Sequence, residues 1–378
     1  MSDNPNNKVL LVGPIDTKGR YSGGIAYVVN SLIQNSNSFF ESGIDLIPVD
    51  SCCIQRKSYA AGKLCIGNLA NTVKLIRQLK LKIKKEKPSV IYFNTSRRYS
   101  LLKDLLVLKM VGRRKNIKTV LHVHFADVNE LFPPQPLLKR RCWKLITKYV
   151  DHLVLLSEKT KNDLVAEGFN KEKISVLYNF HTLDFTREEI TTKQRNAIGK
   201  DKKDIVFIGS LDKRKGVIEL LNAFDDCIPF ARLHMCGKFT DMEVQSLVEN
   251  RLKQYPQGSV IMHGFVEGKE KRDILKNSEI MVLPSYGEGF PIVLVEGLAA
   301  GCEILATDVG AIPEVFSEKT GKVIPAGSTV KLRDSLLDII QNNHGFDKMM
   351  SNWELSQNFT LNCFIKKMCD VCVRVVDE

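Results

Sequence analysis

The sequence predicts an α/β protein built from two parallel-sheet domains, and three observations predict it. Short apolar runs of strand length alternate with segments whose apolar residues recur at helical spacing, the pattern of parallel strands joined by crossover helices. The alternation stops in the charged stretch HTLDFTREEITTKQRNAIGKDKK (residues 181–203) and then restarts strand-first. A chain of 378 residues is also too long for one core of ordinary size. The expected division is a first domain over 1–185, a linker over 186–203, a second domain over 204–350 and a closing helix over 351–378.

In the first half, KVLLVGPI (Lys8–Ile15) reads as a buried strand, and DTKGRYSGG leads into the helical IAYVVNSLI. Gly13, Gly19, Gly23 and Gly24 do not form the Gly-x-Gly-x-x-Gly dinucleotide fingerprint, so the loop alone is a weak signal. A strand, GIDLIPVD (Gly43–Asp50), precedes a helix over Asn68–Lys87. Leu69, Val73, Ile76, Leu79 and Ile83 form its apolar face, and Lys74, Arg77, Lys80, Lys82, Lys84, Lys85 and Lys87 its cationic one. The next strand follows at once, in SVIYFNTS, so sheet packing is preferred over a membrane-surface helix, with the lysines as a solvated face able to touch lipid headgroups. A helix over Ser100–Val111 precedes the strand TVLHVHFA (Thr119–Ala126). Its His124 sits where parallel strands present ligands, and His122 is taken to face the other way. The basic helix LLKRRCWKLITKY carries Trp143, compatible with either a bilayer interface or an ordinary amphipathic face. Ser157 is expected to cap the helix after DHLVLLS, and KISVLYNF closes the domain at Phe180.

The second half offers five strands, in DIVFIGSL, ARLHMCG, SVIMHGF, EIMVLPS and EILATDV. Its densest stretch is LPSYGEGFPIVLVEGLAAG (Leu283–Gly301), where strand, glycine-rich turn and helix follow without a gap. Pro291 suits a first helical position and Gly301 a helix end. Gly287, Glu288, Gly289 and Phe290 therefore lie at a helix mouth, whose free amides favour an anionic or hydroxyl-rich ligand. Glu296, eight residues after Glu288, is close to two helical turns on, so both carboxylates are able to face one crevice. Earlier, GSLDKRKG sets Lys213, Arg214 and Lys215 between a strand and a helix. Read alone, these are also what a solvated loop and an ordinary helix face look like.

The setting P-S-x-x-E-G-F-x-x-x-x-x-E-G-x-A-x-G, followed by ATDVGAIPEV, resembles the retaining GT-B glycosyltransferases, in particular glycosyltransferase family 4, over nearly the whole chain. The resemblance implies two Rossmann-like domains facing a cleft, with the final helix (about Asn352–Val376) returning to the first domain. It implies that Gly23 and Gly24 bring a helix amino end to the donor's diphosphate, that His124 contacts the donor sugar and that Lys215 binds the diphosphate. Ser210 departs from the family's Arg, and Arg214, then Lys213, are the candidates to compensate. Glu288 is expected to orient sugar hydroxyls and Glu296 to hold the ribose diol, since a carboxylate accepts two hydrogen bonds. Gly237 with Lys238, and Phe265 with Val266, are expected near the base.

The implied reaction moves a sugar from a nucleotide diphosphate-sugar to an acceptor hydroxyl with retention. No Asp-x-Asp occurs, so neither metal nor cofactor is expected; Lys215, the Gly24 helix and the amides of Glu288–Phe290 would neutralise the leaving diphosphate. Residues 1–185 hold 30 of the 55 Lys and Arg but 15 of the 43 Asp and Glu, which suggests an anionic partner for that half. An anionic membrane surface and a glycan or lipid-linked acceptor fit. Nucleic acid does not, for want of Arg-rich or aromatic-interleaved segments. The polar start MSDNPNNK and the lack of any 18-residue apolar run lead to the expectation of a cytoplasmic protein, peripheral at the membrane and building a bacterial surface polysaccharide. Ten scattered cysteines agree, and Cys369 and Cys372, lacking a second Cys pair, read as thiols on a terminal helix. The alternatives are a nucleotide-sugar epimerase of the same shape and a non-catalytic paralogue; a phosphorylase would need a pyridoxal-phosphate lysine site, of which there is no sign.

Overall fold

The computed structural model describes residues 7–15, 23–52, 66–341 and 345–378. Gly19, Cys53, Cys65 and the side chain of Leu69 lie outside the described residues. The chain divides into two compact units, Met1–Tyr178 with Asn362–Glu378, and Asn179–Leu361.

The first unit holds β1 (Asn7–Gly13), β2 (Ile44–Asp50), β3 (Val90–Thr95), β4 (Lys118–Val123), β5 (His152–Leu155) and β6 (Ile174–Val176). They pair in parallel in the order β2-β1-β3-β4-β5-β6, so the winding reverses between β1 and β3. Every residue of β3 is buried, as expected of a central strand covered on both faces. The helix Ile66–Glu86 covers this sheet with Leu75, Ile76, Leu79 and Ile83, which join the core of Leu10, Val12 and Phe93. Val73, expected on that face, is 41% exposed. Leu75 lies about 200° further round the helix and takes the buried place. Trp143 is packed on Phe169, with ring centroids 4.0 Å apart, and on Phe132, so its ring serves the core. Ser157 does cap its helix, accepting from the Thr160 amide at 3.0 Å.

The second unit holds β7 (Lys203–Ile208), β8 (Ala231–Cys236), β9 (Val260–Gly264), β10 (Ile280–Leu283), β11 (Glu303–Thr307) and β12 (Gly321–Ile324). Their parallel order is β12-β11-β10-β7-β8-β9, the doubly wound Rossmann-type arrangement, with its reversal between β7 and β10. β12 was not anticipated, because GKVI is four residues long and carries a lysine.

Two boundaries differ from expectation. Residues 186–203 are no linker: they carry a helix, Arg187–Ala197, and the start of β7. Its polar sequence hides a capping box, in which the Thr186 side chain accepts from the Glu189 amide and Glu189 accepts from the Thr186 amide. Ile190 anchors it to the core, and Lys193 is buried with its ammonium donating to the carbonyls of Ala300 (2.6 Å) and Leu275 (3.1 Å). The closing helix is also broken. Gly345–Ser356 ends in a tight turn, Gln357–Phe359, before Leu361–Asp377 begins; Cys369 and Cys372 are buried in that last helix. Replacing Thr186 by Ala removes one half of the capping box and should lower stability by about 1 kcal/mol, read as a shift of the urea midpoint at constant slope.

Candidate functional site

Strand order decides where a ligand goes in each unit, because helices leave the sheet on opposite faces at the reversal and open a crevice at the carboxyl ends of the two strands. In the second unit those strands are β7 and β10. The chain leaving β7 makes a turn of 3-10 helix, Lys213–Lys215, and the chain leaving β10 makes the loop Pro284–Pro291. The two are laced together: the Tyr286 amide donates to the Arg214 carbonyl at 2.8 Å. Gly216, with φ +69°, lies so close that a β-carbon there would stand 2.1 Å from the Pro284 carbonyl oxygen.

The lacing delivers three sequence-predicted residues to one place. Lys215 Nζ lies 2.5 Å from Glu288 Oε1, with only 13% and 10% of the two side chains exposed. Arg214 Nη1 donates to the Gly287 carbonyl at 2.8 Å and stands 3.8 Å from the same carboxylate oxygen. Lys213 is drawn away to Glu243 at 2.7 Å, so of the two candidates to compensate for Ser210, only Arg214 reaches the Glu288 loop. The Ser210 hydroxyl is itself spent on Asp212 Oδ2 (2.6 Å), whose other oxygen caps the turn by accepting from the Lys215 amide.

Other predicted residues take structural parts. Pro291 is the cap of the helix Ile292–Ala299 and not its first residue. Phe290 is 2% exposed, packed on Phe316 and Phe359, and its carbonyl accepts from Asn179 at 2.6 Å, so its ring is core. The Gly289 carbonyl accepts from the Ala311 amide. Glu296 does lie inside its helix but is closed off. Its side chain is 1% exposed, Lys271 Nζ sits 2.5 Å from Oε1, and Oε2 has no partner among the described residues. The Lys271 ammonium thus occupies the side of the carboxylate expected to meet the ribose. Nothing in the sequence links positions 271 and 296. Gly237 is required by packing, since a β-carbon there would meet the Gly209 carbonyl oxygen at 1.8 Å, and Val266 is 6% exposed. Beside them Phe265 is 44% exposed, with Lys238 Nζ 4.8 Å from its ring centroid, a half-open platform at the ends of β8 and β9.

In the first unit the reversal lies between β1 and β3. Gly23 caps the helix Gly24–Gln34 that follows β1, and a β-carbon at Gly23 or Gly24 would meet no described atom within 4 Å. Among the described residues, packing therefore does not demand glycine there. His124 Nε2 lies 2.8 Å from Asn94 Oδ1, at the end of β3. The expectation that His122 faces the other way is wrong: residues two apart on a strand share a face, and the two rings lie side by side with centroids 4.0 Å apart and planes tilted by 33°. His122 is fully buried beside Tyr92, with Phe364 stacked on it. Among the described residues no group of three or more His, Cys, Asp or Glu is placed to hold a metal, and no helix is long and apolar enough to cross a membrane.

Two family models cover the chain in succession: Glycosyltransferase Family 4 over residues 60–185 and Glycosyl transferases group 1 over residues 188–356. The chain belongs to the family 4, group 1 glycosyltransferases. This glycosyltransferase is 25% identical, over 83% of its length and 87% of the relative's, to an uncharacterised 41.2 kDa protein of the cps region of Klebsiella pneumoniae. Its fold is similar to that of the lipopolysaccharide outer core galactosyltransferase WaaB (TM-score 0.68, 18% identity, 97% and 99% of the two chains covered). It is likewise similar to Anabaena HepE in complex with UDP-glucose (0.69, 15%, 97% and 100%). The architecture is GT-B, with two Rossmann-like domains.

Burial holds His124 down to about 3, pushes His122 well below the usual imidazole value and lowers His152 to about 4. Above pH of about 6.5 these rings are neutral in both folded and unfolded chains. Below it only the unfolded chain takes up protons, so stability is lost as pH falls. At pH 5.5 each ring that stays neutral should cost about 1.4 kcal/mol. Melting temperature should therefore fall steadily from pH 7.5 to 5.5, and His122→Asn should flatten that slope.

Proposed function

We propose that this glycosyltransferase moves a sugar from a nucleotide diphosphate-sugar to an acceptor hydroxyl with retention of configuration and without a metal, in the assembly of a bacterial surface polysaccharide. The observation that carries the reading is the Lys215–Glu288 pair, with Arg214 beside it, at the reversal between β7 and β10. Two cations at a sheet reversal match a diphosphate, whose charge grows as the bond from the sugar's anomeric carbon to the phosphate oxygen breaks. The acceptor oxygen attacks the face the diphosphate leaves, and its proton passes to the departing phosphate oxygen. Lys215 and Arg214 offset the diphosphate's charge. Glu288, released from Lys215 as the phosphate takes that ammonium, turns to the sugar hydroxyls. Glu296 is assigned the ribose once Lys271 moves, the platform of Phe265 and Lys238 beside Gly237 and Val266 the base, and Gly23, Gly24 and His124 the donor contacts of the first unit. The cps-region relative and the outer-core transferase of like fold support a polysaccharide setting.

The decisive screen is thermal shift against UDP, GDP, ADP and their sugars with and without EDTA, since a ligand held by the folded state raises the melting temperature. One nucleotide should stabilise the protein regardless of EDTA. Lys215→Ala and Glu288→Ala should each lower transfer by 100-fold or more, on the order of an electrostatic transition-state contact, while remaining folded. Full activity in both variants would overturn the assignment, and consumption of donor without acceptor would point to an epimerase.

The first unit is also proposed to rest on an anionic membrane surface. A shallow basin of about 810 Å³ is lined by Lys80, Lys84, Lys87, Arg114 and Lys115 with no acid among its walls. Each cation near such a surface is worth about 1 kcal/mol. The triple change Lys80→Glu, Lys84→Glu and Lys115→Glu should abolish sedimentation with vesicles containing phosphatidylglycerol at low salt, leaving the melting temperature within about 2 °C of the parent.

A further inference from the structure

We propose that Asn94 is a positioning residue that locks His124 as the Nε2–H tautomer and so presents Nδ1 as a hydrogen-bond acceptor. The argument is one of forced pairings. Asn94 is 4% exposed, so its amide bonds to protein. Asn94 Nδ2 lies 3.0 Å from the Val12 carbonyl oxygen, which can only accept. The amide's NH2 end must therefore face Val12, and its oxygen must face the ring, 2.8 Å from His124 Nε2. An oxygen beside that nitrogen requires Nε2 to carry the proton. Protonation of both nitrogens is opposed by burial. The lone pair is then left on Nδ1.

Val12 lies near the end of β1 and Asn94 near the end of β3, the two strands that flank the reversal of the first sheet. A β-carbon at Gly13 would stand 2.5 Å from Val29 and in ordinary contact, 3.4 Å, with the Asn94 amide nitrogen, so the amide lies against the end of β1. The backbone amide of His124 donates to the Thr95 carbonyl at 2.9 Å, which fixes the ring's root on the same strand end. A His124 ring so held accepts a hydrogen bond from a hydroxyl and offers none from Nδ1. It selects a ligand with a hydroxyl at that point over one with a carbonyl or a carboxylate there. On the reading proposed above, which this inference deepens, that hydroxyl belongs to the donor sugar.

The tautomer is read directly from long-range proton–nitrogen correlation spectra of the full chain labelled with 15N-histidine at pH 7.5, the His124 signals being those lost in His124→Gln. The expected result is a protonated Nε2 and a bare Nδ1. A protonated Nδ1 in the unaltered protein would overturn the proposal without recourse to any variant. Asn94→Leu keeps the side-chain bulk and removes both hydrogen bonds. It should mix the two tautomers and raise KM for the nucleotide-sugar that the screen identifies by about 5- to 100-fold, the scale of one unmade hydrogen bond, with affinity for the free nucleoside diphosphate unchanged. An unchanged KM in a folded Asn94→Leu protein would overturn the positioning role. If the parent protein transfers no sugar from any donor, the functional reading fails, and the tautomer spectra still decide for or against Asn94.

Discussion

The ion pair of Lys215 and Glu288 is the contact around which the second unit's site is built. Each partner stands on a turn leaving a different strand, so the pair exists only because β7 and β10 are neighbours at the reversal of the sheet. The turns are held by parts with no chemistry of their own. Asp212 caps the turn of Lys213–Lys215, Gly216 admits the Pro284 carbonyl, and the Tyr286 amide closes on Arg214. Two nearly buried charges held this way are costly to separate in place, because each would be left without a counterion. On the proposed reading a diphosphate would take over the ammonium, and the Glu288 carboxylate would turn to the sugar hydroxyls.

The first unit uses neutrality where the second uses charge. His124 lies against His122, which Tyr92 and Phe364 wall in, and burial keeps both imidazoles uncharged. A neutral ring has one donor and one acceptor, so a neighbour that claims one of them dictates the other. Asn94 is that neighbour, and its own orientation is dictated by the Val12 carbonyl. The half of the chain with the excess of positive charge thus keeps uncharged histidines at this strand end, and its lysines gather elsewhere, as around the basin of Lys80 and Arg114.

Much of this was legible in the chain. Apolar runs such as KVLLVG and EIMVL are strands in either unit because a parallel sheet buries both faces of its strands, and Ser157 announced a helix start by its type. Where the signal was weak, the reading failed for reasons of length or composition. β12 is too short, the Arg187–Ala197 helix too polar, and Val73 sat at plausible spacing on the wrong side of its helix. The misplaced His122 was an error of strand period and needed no structure to correct.

The two-sheet α/β class, the family, and the residue types that gather after β7 and β10 (Lys215, Arg214 and Glu288) can be read along the chain alone. Local order suffices for these, because strand, turn and helix follow one another along the chain and the turn residues lie at its strand ends. Which side chains pair is set by folding. Lys271 on Glu296, Ser210 on Asp212 and Asn94 between Val12 and His124 join positions separated by 2 to 82 residues. The longer of these pairings are made by the winding order of the sheets, which no spacing in the chain encodes. Whether a carboxylate such as Glu296 is open or closed depends on those partners, and burial is a property of the packed unit and not of the residue.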